Sequence, residues 1–185
     1  MPRRGLNARQ AETAERLLAA GLEELEAVGH EALTIRTVAQ RAGVSPATAY
    51  TYLASKNHLF AELFWRFLVE DEARKPVGRT ATARVQSVTR RLTGRMAEAP
   101  ALSAAVTSAL LGTDPDVERL RLRIGAEFVD QFRAALGDDP DPDVLEALTL
   151  AFSGALLQSG MGLLSYDEMG DRLDGVVAAI MKGHR

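Results

Sequence analysis

The side chains best equipped for chemistry cluster between Leu33 and Phe60, in the segment LTIRTVAQRAGVSPATAYTYLASKNHLF. From Thr34 to Phe60 there are three bases, Arg36, Arg41 and Lys56, and no acid. Pro46, Ala47, Thr48, Thr51 and Tyr52 form a face of small or hydroxyl-bearing groups. Such a face approaches a major groove closely, offering hydroxyls to phosphate oxygens and methyl groups to thymine. Catalytic sets are missing. The chain has no Cys, which removes thiolate nucleophiles and thiolate metal sites. His30, His58 and His184 are scattered, and Gly29 interrupts the helix between Glu26 and His30. The acidic run at 138–143 has a superficial likeness to a calcium loop. Val144 and Leu150 fill the places where that loop needs Gly and an acid. The expectation is a protein that is not an enzyme and holds no metal or cofactor.

These groups need a scaffold, and the pattern is helical almost throughout, so the expected fold class is all-α. A first helix runs from about Ala8 to Val28. Ala14, Leu17, Leu18, Gly21, Leu22, Leu25 and Val28 follow three/four spacing along it, and Gly29 ends it. Thr34 caps a short helix from Ile35 to Ala42. Ser45-Pro46 opens another to about Tyr52, and Ser55 caps a fourth, with Leu59, Leu63, Phe67 and Glu70 on one side. Two short helices joined by Ala42-Gly43-Val44-Ser45 have the spacing of a helix-turn-helix. The second is too short to persist alone, so Ala49 and Leu53 must hold it against Val38 and Val44. Lys75-Pro76-Val77-Gly78 is the candidate hinge. Beyond it come helices at about 81–98, between Pro100 and Gly112, at 115–136, at 143–165 and at 167–181.

Leu33-Thr34-Ile35-Arg36, Ala42-Gly43-Val44-Ser45, Thr48-Ala49-Tyr50-Thr51-Tyr52-Leu53, Ser55-Lys56 and Leu59-Phe60 together resemble the TetR family of bacterial transcriptional regulators. The likeness covers roughly residues 10–60. Ala47 stands where Gly is frequent and Leu53 where Phe is frequent; neither change removes a DNA-contacting group. The resemblance implies a helix-turn-helix DNA-binding domain at 1–60, with the fourth helix linking to about 75. A helical regulatory, effector-binding and dimerisation domain follows at 76–185. It implies that Thr34 lies near the DNA backbone and that Arg36 reaches a phosphate or a base edge. Ser45, Pro46, Ala47 and Thr48 would form the tip of the recognition helix, with Thr51 facing the groove. Tyr50, Tyr52 and Lys56 would contact phosphates. Thr48 has no obvious packing task, whereas Tyr50 sits close enough to Ala49 and Leu53 to serve in packing. For Arg3 and Arg4 a DNA-binding arm and a solvated tail both stay open.

The stretch Ala147–Leu164 holds 18 residues without a charge. Thr149, Ser153, Gln158, Ser159 and three glycines argue against a membrane span and for burial on more than one side. The resemblance implies that the last two helices form a four-helix dimer interface, and the segments 143–165 and 167–181 suit that role independently. An effector pocket would lie between the helices from 81 to 165. Its candidate lining is Met96, Leu110, Phe128, Phe132, Leu156 and Met161, with Gln158 as the one obvious internal amide. Few charges fall on the inward faces, which favours an apolar or amphipathic ligand.

The expected function is a ligand-responsive regulator, a homodimeric repressor of a pseudo-palindromic double-stranded operator. The N-terminus lacks an uninterrupted apolar segment, so the cytoplasm is the expected location. The alternatives are a helical dimer that does not bind DNA or a small-molecule-binding protein, with an enzyme last. The net charge of -3 at first speaks against nucleic acid. It divides, however, into +1 over residues 1–60 (seven bases, six acids) and -4 over 61–185 (fifteen bases, nineteen acids).

Overall fold

The computed structural model describes residues 8–70 and 75–183. Those residues form nine helices and no strand, as the all-α expectation requires. They are α1 (Ala8–Ala32), α2 (Ile35–Arg41), α3 (Pro46–Tyr52), α4 (Lys56–Val69), α5 (Ala81–Glu98), α6 (Pro100–Leu111), α7 (Pro115–Leu136), α8 (Pro142–Gly160) and α9 (Tyr166–Lys182). Their starts are dictated locally. Thr34, Ser45, Ser55, Thr80, Asp114, Asp141 and Ser165 each accept a main-chain N–H within the first turn of the helix that follows.

A single apolar cluster runs through the protein from Leu17 to Val177. α4 packs against α6 and α7, and α5 lies along α9. The stripe Val85, Val88, Leu92 and Met96 is buried as its spacing requires. A second small cluster joins Ala61 of α4 to Val117 and Leu120 of α7.

Several expectations change. Gly29 is non-helical at φ 76 and ψ 168, so α1 breaks there and resumes for one turn to Ala32. Leu22 and Val28 stay exposed although they share the apolar spacing of α1, while Glu24 is buried. Glu70 is exposed, and the other side of α4 buries Phe60, Phe64 and Leu68. α8 stops at Gly160 rather than 165, and 161–165 turn into α9. Within this chain α8 buries one face only, through Val144, Leu148, Phe152 and Ser159, and leaves Leu150 65% exposed. Among the described residues no helix is long and apolar enough to cross a membrane.

Candidate nucleic-acid interface

Thr34 and Thr37 cap α2 reciprocally: each hydroxyl accepts the other's main-chain N–H, at 3.1 and 3.2 Å. After α2, Gly43 takes φ 67, a left-handed conformation that L side chains resist, and the chain reverses. The Val44 N–H closes the turn on the Ala39 carbonyl at 3.0 Å. Ser45 then caps α3 by accepting the Thr48 N–H. Ala49 and Leu53 are buried and fix the inner side of α3. A seven-residue helix is thereby held by its neighbours, and its outer side is presented to solvent.

That outer side carries the expected DNA contacts. Thr34, Arg36, Ser45, Pro46, Ala47, Tyr50 and Thr51 are exposed; Thr48, Tyr52 and Lys56 are half-buried. Thr48 does have a local task, because its hydroxyl shares a 2.9 Å hydrogen bond with that of Ser45. Thr51 donates to the Ala47 carbonyl. Tyr52 packs against the core, whereas Tyr50 is 51% exposed. The packing tyrosine is thus Tyr52 rather than Tyr50. Arg3 and Arg4 lie outside the described residues.

The three bases of the acid-free window have different surroundings. Arg41 is turned back onto α1, where its Nε and Nη2 donate to Glu24 Oε2 at 2.8 and 2.7 Å. Those bonds, with help from Thr37, hold the Glu24 carboxyl below the usual carboxylate range. Lys56 Nζ donates to the carbonyls of His30 and Glu31 at 3.1 and 3.3 Å and so closes the C-terminal end of α1. Arg36 is exposed like Arg41 but has no acid or carbonyl partner among the described residues.

Behind α3, the start of α4 is tied directly to the C-terminal helices. Ser55, the N-cap of α4, accepts the His58 N–H at 3.0 Å and donates its own proton to Asp114 Oδ2 at 2.6 Å. Asp114 is itself the N-cap of α7 through Oδ1, which accepts the Asp116 N–H. The Ser55 hydroxyl holds the Asp114 carboxyl below its usual value. Two arginines brace the same junction. Arg121 donates to the carbonyls of Leu110 and Gly112 at the end of α6, and the Arg123 guanidinium lies over the Trp65 ring at 4.1 Å. Nothing local in the sequence links Asp114 to Ser55, 59 residues away.

The candidate effector residues are not brought together as one set. Leu110, Phe128 and Leu156 line a cavity of about 200 Å³ between α6, α7 and α8. Met96 and Phe132 are fully buried core, the latter edge-on to Phe152. Gln158 is exposed and borders a groove between α8 and α9, and Met161 is 63% exposed beyond α8. Gln158 is therefore not an internal amide of this fold. The buried amide is Gln131, which accepts from Arg91 and donates to Glu127.

Comparison with known proteins agrees with this geometry. Residues 17–63 match the family described as bacterial regulatory proteins, tetR family. An uncharacterized HTH-type transcriptional regulator of Mycobacterium tuberculosis is 43% identical over 179 residues, covering 96% of this chain and 84% of that protein. The HTH-type transcriptional repressor KstR of Rhodococcus jostii is 30% identical over 135 residues, covering 72% of this chain and 63% of the relative. The fold is shared with a TetR transcriptional regulator from Rhodococcus sp. RHA1, at a TM-score of 0.74, 21% identity and coverage of 96% and 100%. It is shared too with Thermus thermophilus FadR, a TetR-family repressor solved with lauroyl-CoA, at a TM-score of 0.69, 17% identity and coverage of 93% and 95%. A helix-turn-helix with an acid-free outer face, on an all-helical body of this topology and with these relatives, places the chain in the TetR family of bacterial transcriptional regulators.

Proposed function

We propose that the protein is a homodimeric repressor that binds a pseudo-palindromic operator and is released by a small apolar or amphipathic effector. The observation that carries this reading is the Ser55–Asp114 hydrogen bond, because it attaches the recognition unit to the helix that walls the α6–α7–α8 cavity. An effector that favours a different setting of α7 relative to α4 shifts the spacing of the two recognition helices and lowers operator affinity. The route from α7 to α4 is direct and does not depend on the hinge at Lys75–Gly78. At about 200 Å³ the cavity lies below the usual range of about 300–1,000 Å³ for ligand pockets, so a larger effector must widen it.

DNA contact falls to Thr34, Arg36, Ser45, Pro46, Ala47, Thr48, Tyr50 and Thr51, with Tyr52 and Lys56 at the edge of the surface. Dimerisation is assigned to the segments 143–165 and 167–181, since Leu150, Leu157 and Val176 leave apolar area uncovered there. The domain division at about residue 76 and a cytoplasmic setting belong to the same reading. The repressor named KstR and the lauroyl-CoA complex of FadR are precedents among similar proteins. Selection of bound fragments from sheared genomic DNA tests the proposal. Recovery of an inverted repeat with half-sites one helical turn apart, about 34–36 Å, is the expected result. Failure to enrich any sequence overturns it in favour of a helical dimer that does not bind DNA.

A further inference from the structure

Arg84 and Arg121 are half-buried, and each closes the C-terminal end of a helix by donating to main-chain carbonyls. Arg84 reaches Ala135 and Leu136 at the end of α7, at 2.7 and 3.2 Å. Arg121 reaches Leu110 and Gly112 at the end of α6, both at 2.6 Å. A guanidinium has five N–H groups. Two of those on Arg121 are used in this way, and the others have no acceptor among the described residues. No acid among the described residues pairs with it. The Asp114 carboxyl is lowered first by the Ser55 hydrogen bond, and the Arg121 charge adds a smaller effect across space. Both Asp114 oxygens are already taken, by the Ser55 hydroxyl and the Asp116 N–H.

Arg121 also lines the cavity of about 200 Å³ between α6, α7 and α8. The rest of that lining contains no acid and no second base. Leu110, Ile124, Phe128 and Leu156 form its apolar wall. The Thr107 hydroxyl, also in the lining, donates to the Ser103 carbonyl at 2.9 Å. A cavity of about 150 Å³ lined by Leu, Ile and Phe accepts benzene, so this one has room for a ring with a short substituent. A cation would meet the guanidinium charge with no acid to offset it. A neutral group would accept at most an ordinary hydrogen bond. A carboxylate matches the fork of the guanidinium, and its charge-assisted bonds are about twice as strong as neutral ones.

We propose that the α6–α7–α8 cavity binds a compact apolar carboxylate, with its charged group on Arg121 and its body against Ile124, Phe128 and Leu156. This names the chemistry of the effector, and its consequence for DNA rests on the repressor reading, whereas binding itself does not. The guanidinium that would hold the ligand also holds the carbonyls of Leu110 and Gly112. Gly112 stands two residues before Asp114, which accepts from Ser55. A carboxylate that draws the guanidinium towards the cavity weakens its hold on the end of α6. The segment that carries the Asp114–Ser55 bond then shifts, and the start of α4 shifts with it.

Calorimetry on the full-length protein with phenylacetate, phenylacetamide and 2-phenylethylammonium tests the site, with operator binding measured on the same preparation. Phenylacetate binds at least about tenfold more tightly than the amide or the ammonium, the worth of a hydrogen bond to a charged group. Arg121→Gln abolishes that preference by weakening phenylacetate and not the amide. Arg84→Gln loses the equivalent bonds at the end of α7 and keeps the preference. Gly125→Leu leaves Arg121 in place. An added Cβ at Gly125, which lines the cavity, meets nothing within 4 Å beyond its own helix backbone and chain neighbours. That variant fills the cavity and weakens phenylacetate about tenfold; with the parent's preference it decides the matter if Arg121→Gln does not fold. Equal affinity for the three probes, preference for the amide or the ammonium, or no binding overturns the site. So does an Arg121→Gln protein that keeps the preference or loses acid and amide alike, or unchanged phenylacetate affinity in Gly125→Leu. Any of these in a protein that binds operator leaves the repressor reading standing. Phenylacetate binding as expected without operator binding overturns the repressor reading and not the site. Operator affinity unchanged by bound phenylacetate overturns its role as a releasing ligand alone.

Discussion

Ser55 and Asp114, 59 residues apart, are each the N-cap of a helix, and the Ser55 hydroxyl donates to the Asp114 carboxylate at 2.6 Å. One hydroxyl thus does two things. Its lone pair closes the first turn of α4, and its proton fastens that turn to α7. On the other side of the same turn, Lys56 is held by the last carbonyls of α1. The start of α4 is therefore pinned from both ends of the molecule, directly behind the recognition helix.

The pair is expected to be energetically coupled. Ser55→Ala removes a helix cap and lowers stability by about 0.5–2 kcal/mol. In a double-mutant cycle with Asp114→Ala, urea unfolding should give a coupling of about 1 kcal/mol. Strict additivity would mean that the contact carries no free energy.

Acid should unfold the protein through its paired carboxylates. Asp114 is depressed first by the Ser55 hydrogen bond, and Glu15 first by its hydrogen bonds from Arg66. A carboxyl whose folded pKa lies below its unfolded value stabilises above the unfolded value. That stability is lost as pH falls through the folded one. Melting temperature should hold from neutrality to about pH 5 and fall below about pH 4. Asp114→Asn should show a shallower acid decline in a pH series of thermal melts.

Arg36 and Lys56 should separate in salt titrations. Arg36→Ala removes an exposed base that is unpaired among the described residues, and should lower the salt slope of operator binding by about 0.9 with no change in melting temperature. Lys56→Ala takes a donor from two carbonyls and should cost about 0.5–1.5 kcal/mol of stability. Loss of slope without loss of stability in Lys56→Ala would reverse the two assignments.

Gly43→Ala should destabilise by about 1–2 kcal/mol, because φ 67 brings an added Cβ too close to the carbonyl that follows. Outside Gly43 and its two chain neighbours nothing lies within 4 Å of that Cβ, so the penalty is local to the backbone rather than a clash with a packed side chain. Chemical denaturation of the variant measures it; an unchanged midpoint would rule out a strained turn.

Leu150→Glu should convert the proposed dimer to a monomer in sedimentation experiments and abolish tight operator binding. Leu150 is 65% exposed on α8 and borders the groove shared with α9. Leu122→Glu is the matched control, since Leu122 is 69% exposed on α7 and should leave the dimer intact. Equal behaviour of the two variants would remove α8 from the interface.

The helices and their starts were legible because their causes are local. Ser45-Pro46, Ser55 and Asp114-Pro115 carry a cap acceptor within a few residues of the N–H it binds, and Gly43 and Gly29 stand where the backbone must turn left-handed. The acid-free outer face of α3 was legible for the same reason: seven residues and one helical period decide it. The inner stripe of α5 follows from spacing alone, since a 3.6-residue period places Val85, Val88, Leu92 and Met96 on one side whatever covers them.

Periodicity names a face but not its partner, and that is where the linear pattern stopped. Glu24 lies among the buried residues of α1 because Arg41, seventeen residues on, reaches it. Lys56 turns to α1 rather than outward because the carbonyls of His30 and Glu31 end a helix within its reach. Gln131 stands between Asp130 and Arg133 in a charged helix and Gln158 in an uncharged run, yet the packing of α7 against α5 puts the first inside while the second is exposed on α8. The residue types and local backbone chemistry were enough for an all-helical chain with a hydroxyl-rich helix-turn-helix, and the motif resemblance for a regulator. Which helix that head is fastened to depends on contacts between segments far apart in the chain. No local propensity encodes those contacts, because their energy exists only once the core has closed around them.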